Sequence, residues 1–302
     1  MTLLSRQNCP ICNQPAPVVV QLPYADSRFE LLLNGSPALP IVADKNYEIR
    51  ECVGCDLLFQ TWMLTGEDAK LIYTTDRLDD NPATISAQPL HALAHNAEEV
   101  LVVRQVFPKR PPSVLDFGCG WGKFASMALA YGCDVYGHEL NTGFAQFCAA
   151  RGIKMLARDE ITAHRFDFIN ADQVLEHIAD PRETLQLLAN SLADDGLIKI
   201  SVPGSPTLRK IIADSHGNPD PVVRKSCIKP LFPLIHVNLF SPHSLRSLAA
   251  SVGMKPYRPP FFTWLGAGQM WNKPRQLNRN LVVPFKRFFQ RGTYLWLQKM
   301  AG

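Results

Sequence analysis

The sequence predicts an α/β chain, a parallel sheet covered by helices on both faces, preceded by a small β-rich module. Three observations predict it. From Ser113 onward, short apolar runs alternate with helix-length amphipathic segments joined by short connections, the pattern of strands buried on both faces. One of those joints, "VLDFGCGWGKF", carries three glycines at alternate positions. Before all this, residues 1 to about 75 hold two Cys-x2-Cys pairs and short apolar runs broken by Pro, Gly, Asn and Asp. That stretch is too short to build much core alone.

The elements follow in order. Gln88 to Val106 repeats apolar residues at helical spacing, and "FPKRPP" ends it because proline cannot continue a helix. "SVLDF" reads as a strand and "GKFASMALAYG" as a helix, then "CDVYGHEL" as a strand and "NTGFAQFCAARG" as a helix. "IKMLA" is a short strand and "RFDFINA" a longer one. "PRETLQLLANSLADDG" is a helix and "LIKISVP" a strand. Gly204 to Ile235 loses this regularity and reads as a long excursion, with a lid as one reading. "SPHSLRSLAASVGM" restores a helix, with Ser241 as N-cap and Pro242 at the first helical position. "VPFKRFFQR" reads as a short basic, aromatic helix and "TYLWLQKM" as a final strand.

Bulk properties narrow the class. The chain has 302 residues, 46% hydrophobic and 19% charged, with a net charge of +4. So small a basic excess does not argue for nucleic acid. The opening "MTLLSRQNCPIC" lacks the charged head and apolar core of a signal peptide, and no apolar run approaches membrane-spanning length. The expected location is cytoplasmic, where thiols stay reduced. Of eight cysteines, Cys9, Cys12, Cys52 and Cys55 form the two close pairs, 39 residues apart. Four thiolates suit a structural, tetrahedral zinc, and Pro10 and Gly54 favour the tight turns that such pairs need. Redox pairs usually sit beside a βαβ unit, and these do not. Cys119, Cys133, Cys148 and Cys227 read as small buried hydrophobes.

The glycine turn selects a cofactor class. A dinucleotide fingerprint is GxGxxG. Here Gly118, Gly120 and Gly122 are spaced GxGxG, and Lys123 stands where the third glycine would fall. With Asp116 before it, "VLDFGCGWG" resembles motif I of the class I S-adenosylmethionine-dependent methyltransferases. "FDFINADQVLEHIADP" resembles that family's fourth strand and following turn, and "HVNLFSPHSLRSLAASVGM" resembles the segment after the fifth strand. The resemblance covers roughly Ser113 to Met254, with a weaker match at "RGTYLWLQKM", and is greatest to bacterial small-molecule methyltransferases. "CPIC", with "YEIRECVGCDLLF", looks like the zinc-binding module fused to sugar C-methyltransferases. Those proteins carry a longer C-terminal domain than this sequence, which weighs against nucleotide-sugar C-methylation.

The resemblance implies a Rossmann-like methyltransferase fold with a mostly parallel seven-stranded sheet. It implies a zinc-binding module over 1–75 and a methyltransferase domain over 76–302, with the 204–235 excursion inside it. S-adenosyl-L-methionine is the implied methyl donor. Asp116 would help hold its ammonium or order waters there, with Gly118, Gly120 and Gly122 admitting the backbone close to it. Glu139, closing the second strand, would accept from the ribose hydroxyls. Asp159 would meet the adenine amino group, with Glu160 as the rival in an open register. Asp172 and Gln173 lie where the fourth strand meets the cofactor, beside Asn170 and Ala171. His177 reads either as a solvated cap or as a residue touching the acceptor, and His236 either as a structural histidine or as a catalytic one. Each could draw a proton from a hydroxyl or carbon acid. Tyr73 reads as packing or as a residue closing over the cofactor. His91 and His95, spaced i, i+4, read as a helix face.

Three functions compete. The first is methyl transfer to a small molecule, such as a sugar or a polysaccharide or secondary-metabolite precursor, by direct displacement. The second is RNA methylation with the zinc module holding substrate. Against it, Cys9 to Asp56 carries Arg28, Lys45 and Arg50 against six acids, and no Asn-Pro-Pro-Tyr-like motif follows the fourth strand. The third is a non-enzymatic zinc-bearing adaptor, which the intact Asp116, Glu139 and glycines argue against. The basic aromatic tail could lie on a membrane surface, although its alternating end favours a buried strand.

Overall fold

The computed structural model describes residues 1–26, 29, 33, 36–75, 90–203, 211, 229–260 and 293–300. The chain divides into two compact units: Met1–Asp79 with Leu175–Thr184 and Val202–Ser251, and Asp80–Val174 with Leu185–Ser201 and Val252–Gly302.

The first unit begins with β1 (Leu4–Ser5), β2 (Val18–Pro23), helix α1 (Leu39–Val42), β3 (Asn46–Glu51), β4 (Leu58–Gln60), β5 (Trp62–Met63) and helix α2 (Gly66–Thr75). β1 pairs antiparallel with β5, while β2, β3 and β4 form an antiparallel sheet. In β3 the buried residues are Tyr47 and Ile49, two apart, the alternation expected of a strand with one covered face. Tyr47 packs against Phe29 at 4.7 Å and edge-on to Tyr24 at 5.8 Å between ring centroids, making this unit's aromatic core. α2 opens with Glu67 and Asp68, acids that suit the positive end of a helix.

The second unit carries the large sheet. Helix α3 (Leu90–Val106) leads into β6 (Ser113–Phe117), helix α4 (Lys123–Ala130), β7 (Asp134–His138), helix α5 (Thr142–Ala149), β8 (Lys154–Met155) and β9 (Phe166–Asp172). A 3-10 turn at Leu175–His177, which belongs to the first unit, and helix α6 (Pro181–Asn190) precede β10 (Leu192–Ser201). β11 (Asn238–Leu239) and helix α7 (Pro242–Ser251) then belong to the first unit, where β11 pairs with β4 as the fourth strand of the smaller sheet. β12 (Met254–Pro256) and β13 (Tyr294–Lys299) complete the large one.

The large sheet runs β12-β13-β10-β9-β6-β7-β8. The pairs from β10 to β8 are parallel and the two involving β13 antiparallel. This is the mostly parallel seven-stranded sheet that the motif resemblance implied. β12 is an addition: the helix expected to run to Met254 stops at Ser251, and Met254 opens a strand. Ser241 caps α7 as expected. Its Oγ accepts from Ser244 N at 3.0 Å, and Ser244 Oγ in turn accepts from Ser241 N at 2.8 Å. Asn141 caps α5 by accepting from Gly143 N and Phe144 N. On one face the sheet's core gathers Val114, Val135, Phe168, Leu197 and Trp296, all under 4% exposed, and the consecutive buried residues of β6 and β9 show that the other face of the central strands is covered too.

One charge sits in that core. Lys199, 1% exposed in β10, donates to Glu99 Oε2 at 2.8 Å, and Glu99 on α3 is itself fully buried. Burial opposes the lysine's charge. Glu99 and Asp172 more than offset it, so its pKa is raised and the ammonium persists.

The 204–235 excursion falls largely outside the described residues, as does the basic aromatic segment 283–291. Among the described residues, no helix is long and apolar enough to cross a membrane.

Candidate functional site

β6 ends at Phe117, and the next five residues make the turn into α4. Gly118, Gly120 and Gly122 all have positive φ, at 72°, 52° and 67°, a region costly for L side chains. Their surroundings differ. A Cβ on Gly118 would lie 2.6 Å from Val174 Cγ2, and one on Gly122 would lie 2.8 Å from Cys148 Sγ. Around Gly120 a Cβ would meet nothing within 4 Å. Two glycines therefore pack the turn, and the middle one presents bare backbone to open space.

Glu139, just after β7, ties that turn down. Its Oε2 accepts from Gly120 N at 2.8 Å and its Oε1 from Asn141 N at 2.8 Å. Each oxygen keeps a second lone pair for a further donor. Asp116 is buried at 3% exposure beneath the turn, accepting from Asn170 Nδ2 at 2.7 Å and Ala125 N at 3.2 Å. Burial pushes its pKa up to about 7, against the pull of the Asn170 amide and the Lys199 ammonium. Two buried polar atoms border this region without a hydrogen-bond partner among the described residues, Asn170 Oδ1 and Trp121 Nε1. The Trp121 ring packs on Phe144 at 4.2 Å. An open glycine face with orphaned polar atoms around it fits a polar, nucleoside-bearing ligand.

The remaining cofactor candidates lie in the same unit. Asp172, with its side chain 44% exposed, stands 3.4 Å from Lys199 Nζ. Gln173 has φ 56°, and its backbone N donates to Ser201 O at 2.8 Å. Glu160 turns its carboxylate back to accept from Ala157 N at 2.7 Å, while Asp159 is exposed.

Asp116 carries a pH consequence. Its folded pKa of about 7 lies above the ordinary aspartate value, so the folded state holds the extra proton across that interval. Stability from this group therefore falls as pH rises from about 4 to about 7. Asp116→Asn should gain stability relative to the parent between pH 5 and pH 8 in urea titrations of the ligand-free protein. An equal difference at both pH values would refute it.

His177 and His236 come together within the first unit. Their ring centroids are 4.9 Å apart, and Tyr73 lies edge-on to His177 at 5.3 Å. Glu176, 2% exposed, joins them, with Oε1 3.7 Å from His177 Nε2. The loop that carries His236 is held by Gln60. Its Nε2 donates to Phe232 O and His236 O, both at 2.9 Å, and its Oε1 accepts from Leu234 N at 2.9 Å. Arg6 braces the same region through Val237 O, Asn238 Oδ1 and Ala179 O. His95 approaches Glu99 at 3.6 Å on α3.

Cys9, Cys12, Cys52 and Cys55 also converge, their sulfurs all within 4.8 Å of one another. Cys9 and Cys55 are 3.5 Å apart, Cys12 and Cys52 3.4 Å. Tetrahedral zinc with bonds of about 2.3 Å spaces its sulfurs at about 3.8 Å, so the set fits that ion. The two knuckles share one backbone pattern. Asn13 N donates to Cys9 O and Asp56 N to Cys52 O, and Asn13 and Asp56 both adopt left-handed φ, at 58° and 57°.

Residues that sequence reading did not single out are Lys199, Glu99, Gln60 and Arg6. A lysine inside "LIKIS" is the one visible signal.

Comparison with known proteins adds to this geometry. A family profile described as a methyltransferase domain matches residues 90–257. The plantazolicin methyltransferase BpumL, in complex with a monoazolic desmethylPZN analog and SAH, is similar in structure with a TM-score of 0.50 at 17% identity, covering 78% of this chain and 96% of that one. Its complex with SAH alone gives the same values, TM-score 0.50, 17% identity, 78% and 96% coverage. Magnesium protoporphyrin IX methyltransferase (ChlM) from Synechocystis PCC 6803 has a TM-score of 0.43 at 15% identity, covering 69% of this chain and 84% of that one. No curated protein sequence matches.

Proposed function

This chain belongs to the methyltransferase-domain family, and on that premise we propose that it transfers a methyl group from S-adenosylmethionine to a small-molecule acceptor. The observation that carries the donor is the turn at Gly120, bare on one side and fixed by Glu139 on the other. SAH in the complexes of its fold relative agrees with that donor.

In this reading Gly118, Gly120 and Gly122 shape the turn and Asp116 holds it from below. Glu139 receives the ribose hydroxyls on its remaining lone pairs, Asp159 meets the adenine, and Asp172 and Gln173 border the methionine end. The donor supplies an activated methyl on a sulfonium, so the protein's work is positioning and exclusion of water. His177 and His236 serve the acceptor, drawing off the proton if it is a hydroxyl or carbon acid. Cys9, Cys12, Cys52 and Cys55 hold a structural zinc in the 1–75 module, and 76–302 is the methyltransferase domain. A sugar or a polysaccharide or secondary-metabolite precursor is the acceptor class we favour, in a cytoplasmic setting. RNA is disfavoured by the acidic balance between Cys9 and Asp56.

A methyl-transfer screen with labelled donor against nucleotide sugars, free sugars, amines, azole-bearing peptides and RNA tests this. Label entering a small molecule is expected. Label entering RNA alone, with salt-sensitive retention, would replace the reading with the RNA one.

A further inference from the structure

The geometry points to a second metal site in this chain, built from Glu176, His177 and His236, that takes a first-row divalent ion. One potential ligand atom from each of the three lies within 4.8 Å of the others. The residues come from two places: a 3-10 turn at Leu175–His177 and the loop before β11. Sixty residues of chain separate them, and the first unit closes that gap. Asn238 Nδ2 donates to Leu175 O at 3.0 Å and to Ile178 O at 2.7 Å, locking the loop to the turn.

The second observation concerns the far side of each ring. His177 Nδ1 lies 3.0 Å from Ile235 O, and His236 Nδ1 lies 3.3 Å from Pro230 O. A backbone carbonyl accepts only, so each Nδ1 is the donor there, and in the neutral ring the lone pair falls on Nε2. Metal-ligating histidines show this arrangement, the other ring nitrogen donating to a carbonyl that fixes tautomer and orientation. Both carbonyls sit on the loop that Gln60 and Arg6 hold in place.

The donor set selects the ion. Two imidazoles with one carboxylate suit zinc or ferrous iron, and three protein ligands leave a coordination position open. Glu176 is 2% exposed and the His177 side chain 11%, so the carboxylate is already desolvated when an ion arrives. This deepens the function proposed above and rests on its assignment of the two histidines to the acceptor. The open position would take an oxygen donor of that acceptor, which narrows the substrate class to oxygen-bearing molecules. The sulfur tetrad offers no such position.

Cobalt(II) distinguishes the two sites. The purified full chain, stripped and reloaded with cobalt, is expected to hold two ions. One gives the sulfur charge-transfer absorption of a thiolate site, and the other gives only weaker visible bands. Glu176→Gln and His236→Asn are each expected to weaken the second ion by about 100-fold or more while keeping the charge-transfer band. Retention of that band reports that the first unit remains folded. A parent protein holding one ion, or variants that still hold two, would overturn the site. Calorimetric titration of S-adenosylmethionine on the same samples separates the outcomes. Donor binding without the second ion defeats this inference alone, and loss of donor binding in the parent defeats the function.

Discussion

Gly120→Arg is expected to abolish S-adenosylmethionine binding, by at least about 100-fold in Kd, while the protein stays folded. Gly120 has φ 52° and nothing within 4 Å of where a Cβ would stand. A larger side chain there costs about 1–2 kcal/mol of left-handed strain and meets no protein atom at its first carbon. What it fills is the open face above the turn. The neighbouring glycines give the opposite result. Gly118→Ala would drive its Cβ to 2.6 Å from Val174 Cγ2, and Gly122→Ala to 2.8 Å from Cys148 Sγ. Both should lower the unfolding midpoint more than Gly120→Ala does. The series thus separates packing from ligand approach within five residues. Calorimetry for binding and thermal unfolding for stability are the two readouts. An unchanged Kd in folded Gly120→Arg would remove the donor from this turn.

Much of this arrangement was legible because it is local. Strands β6, β7 and β9 each carry a short apolar stretch, and the turns that follow β6 and β7 fall at Gly118 and Glu139, so the strand-and-helix alternation alone placed both residues at the same edge of the sheet. The paired cysteines were legible for the same reason: a knuckle is four residues long. What escaped is non-local or very short. β11 and β12 span two and three residues, and such strands exist because a partner strand is present, not because of their own composition. The convergence of Glu176 on His236 crosses sixty residues and depends on Asn238 and Gln60, neither of which belongs to a motif. The motif resemblance assigns Asp116 to the donor's ammonium or to the waters around it. The structure adds that its carboxylate is already engaged by Asn170 and Ala125, and that Lys199 stands close enough to weigh on its charge. A sequence names the acid at a strand's end but not the partners that occupy it.

Removal of the ion expected at Cys9, Cys12, Cys52 and Cys55 should destabilise the first unit by several kcal/mol. Structural zinc contributes about 10–16 kcal/mol of apparent binding energy in peptides that have no other core. This unit has one, in Tyr24, Phe29, Tyr47 and Ile49, all 2% exposed or less, so the loss should fall below that range. The knuckles depend on the ion more directly. Cys9, Cys52 and Cys55 are buried at 2%, 0% and 2% exposure. Asn13 and Asp56 close the two turns in left-handed backbone, which Asn and Asp adopt more readily than other non-glycine residues. Beyond the knuckles, Arg50 Nη1 donates to Ala16 O at 2.7 Å and Arg6 Nε to Gln60 O at 3.0 Å. Through Gln60 the disturbance reaches the loop of His236. Cys52→Ser is therefore expected to lose one zinc per chain, lower the unfolding midpoint and open the remaining three knuckle thiols to a thiol reagent. Cys12→Ser, at the one exposed member of the set, should lose zinc with a smaller fall in stability, because its side chain contributes least to packing. Zinc content, thermal unfolding and thiol counting on the parent and both variants decide the matter. A parent that carries no sulfur-bound metal and unfolds at the same temperature with or without a chelator would return these four cysteines to ordinary packing.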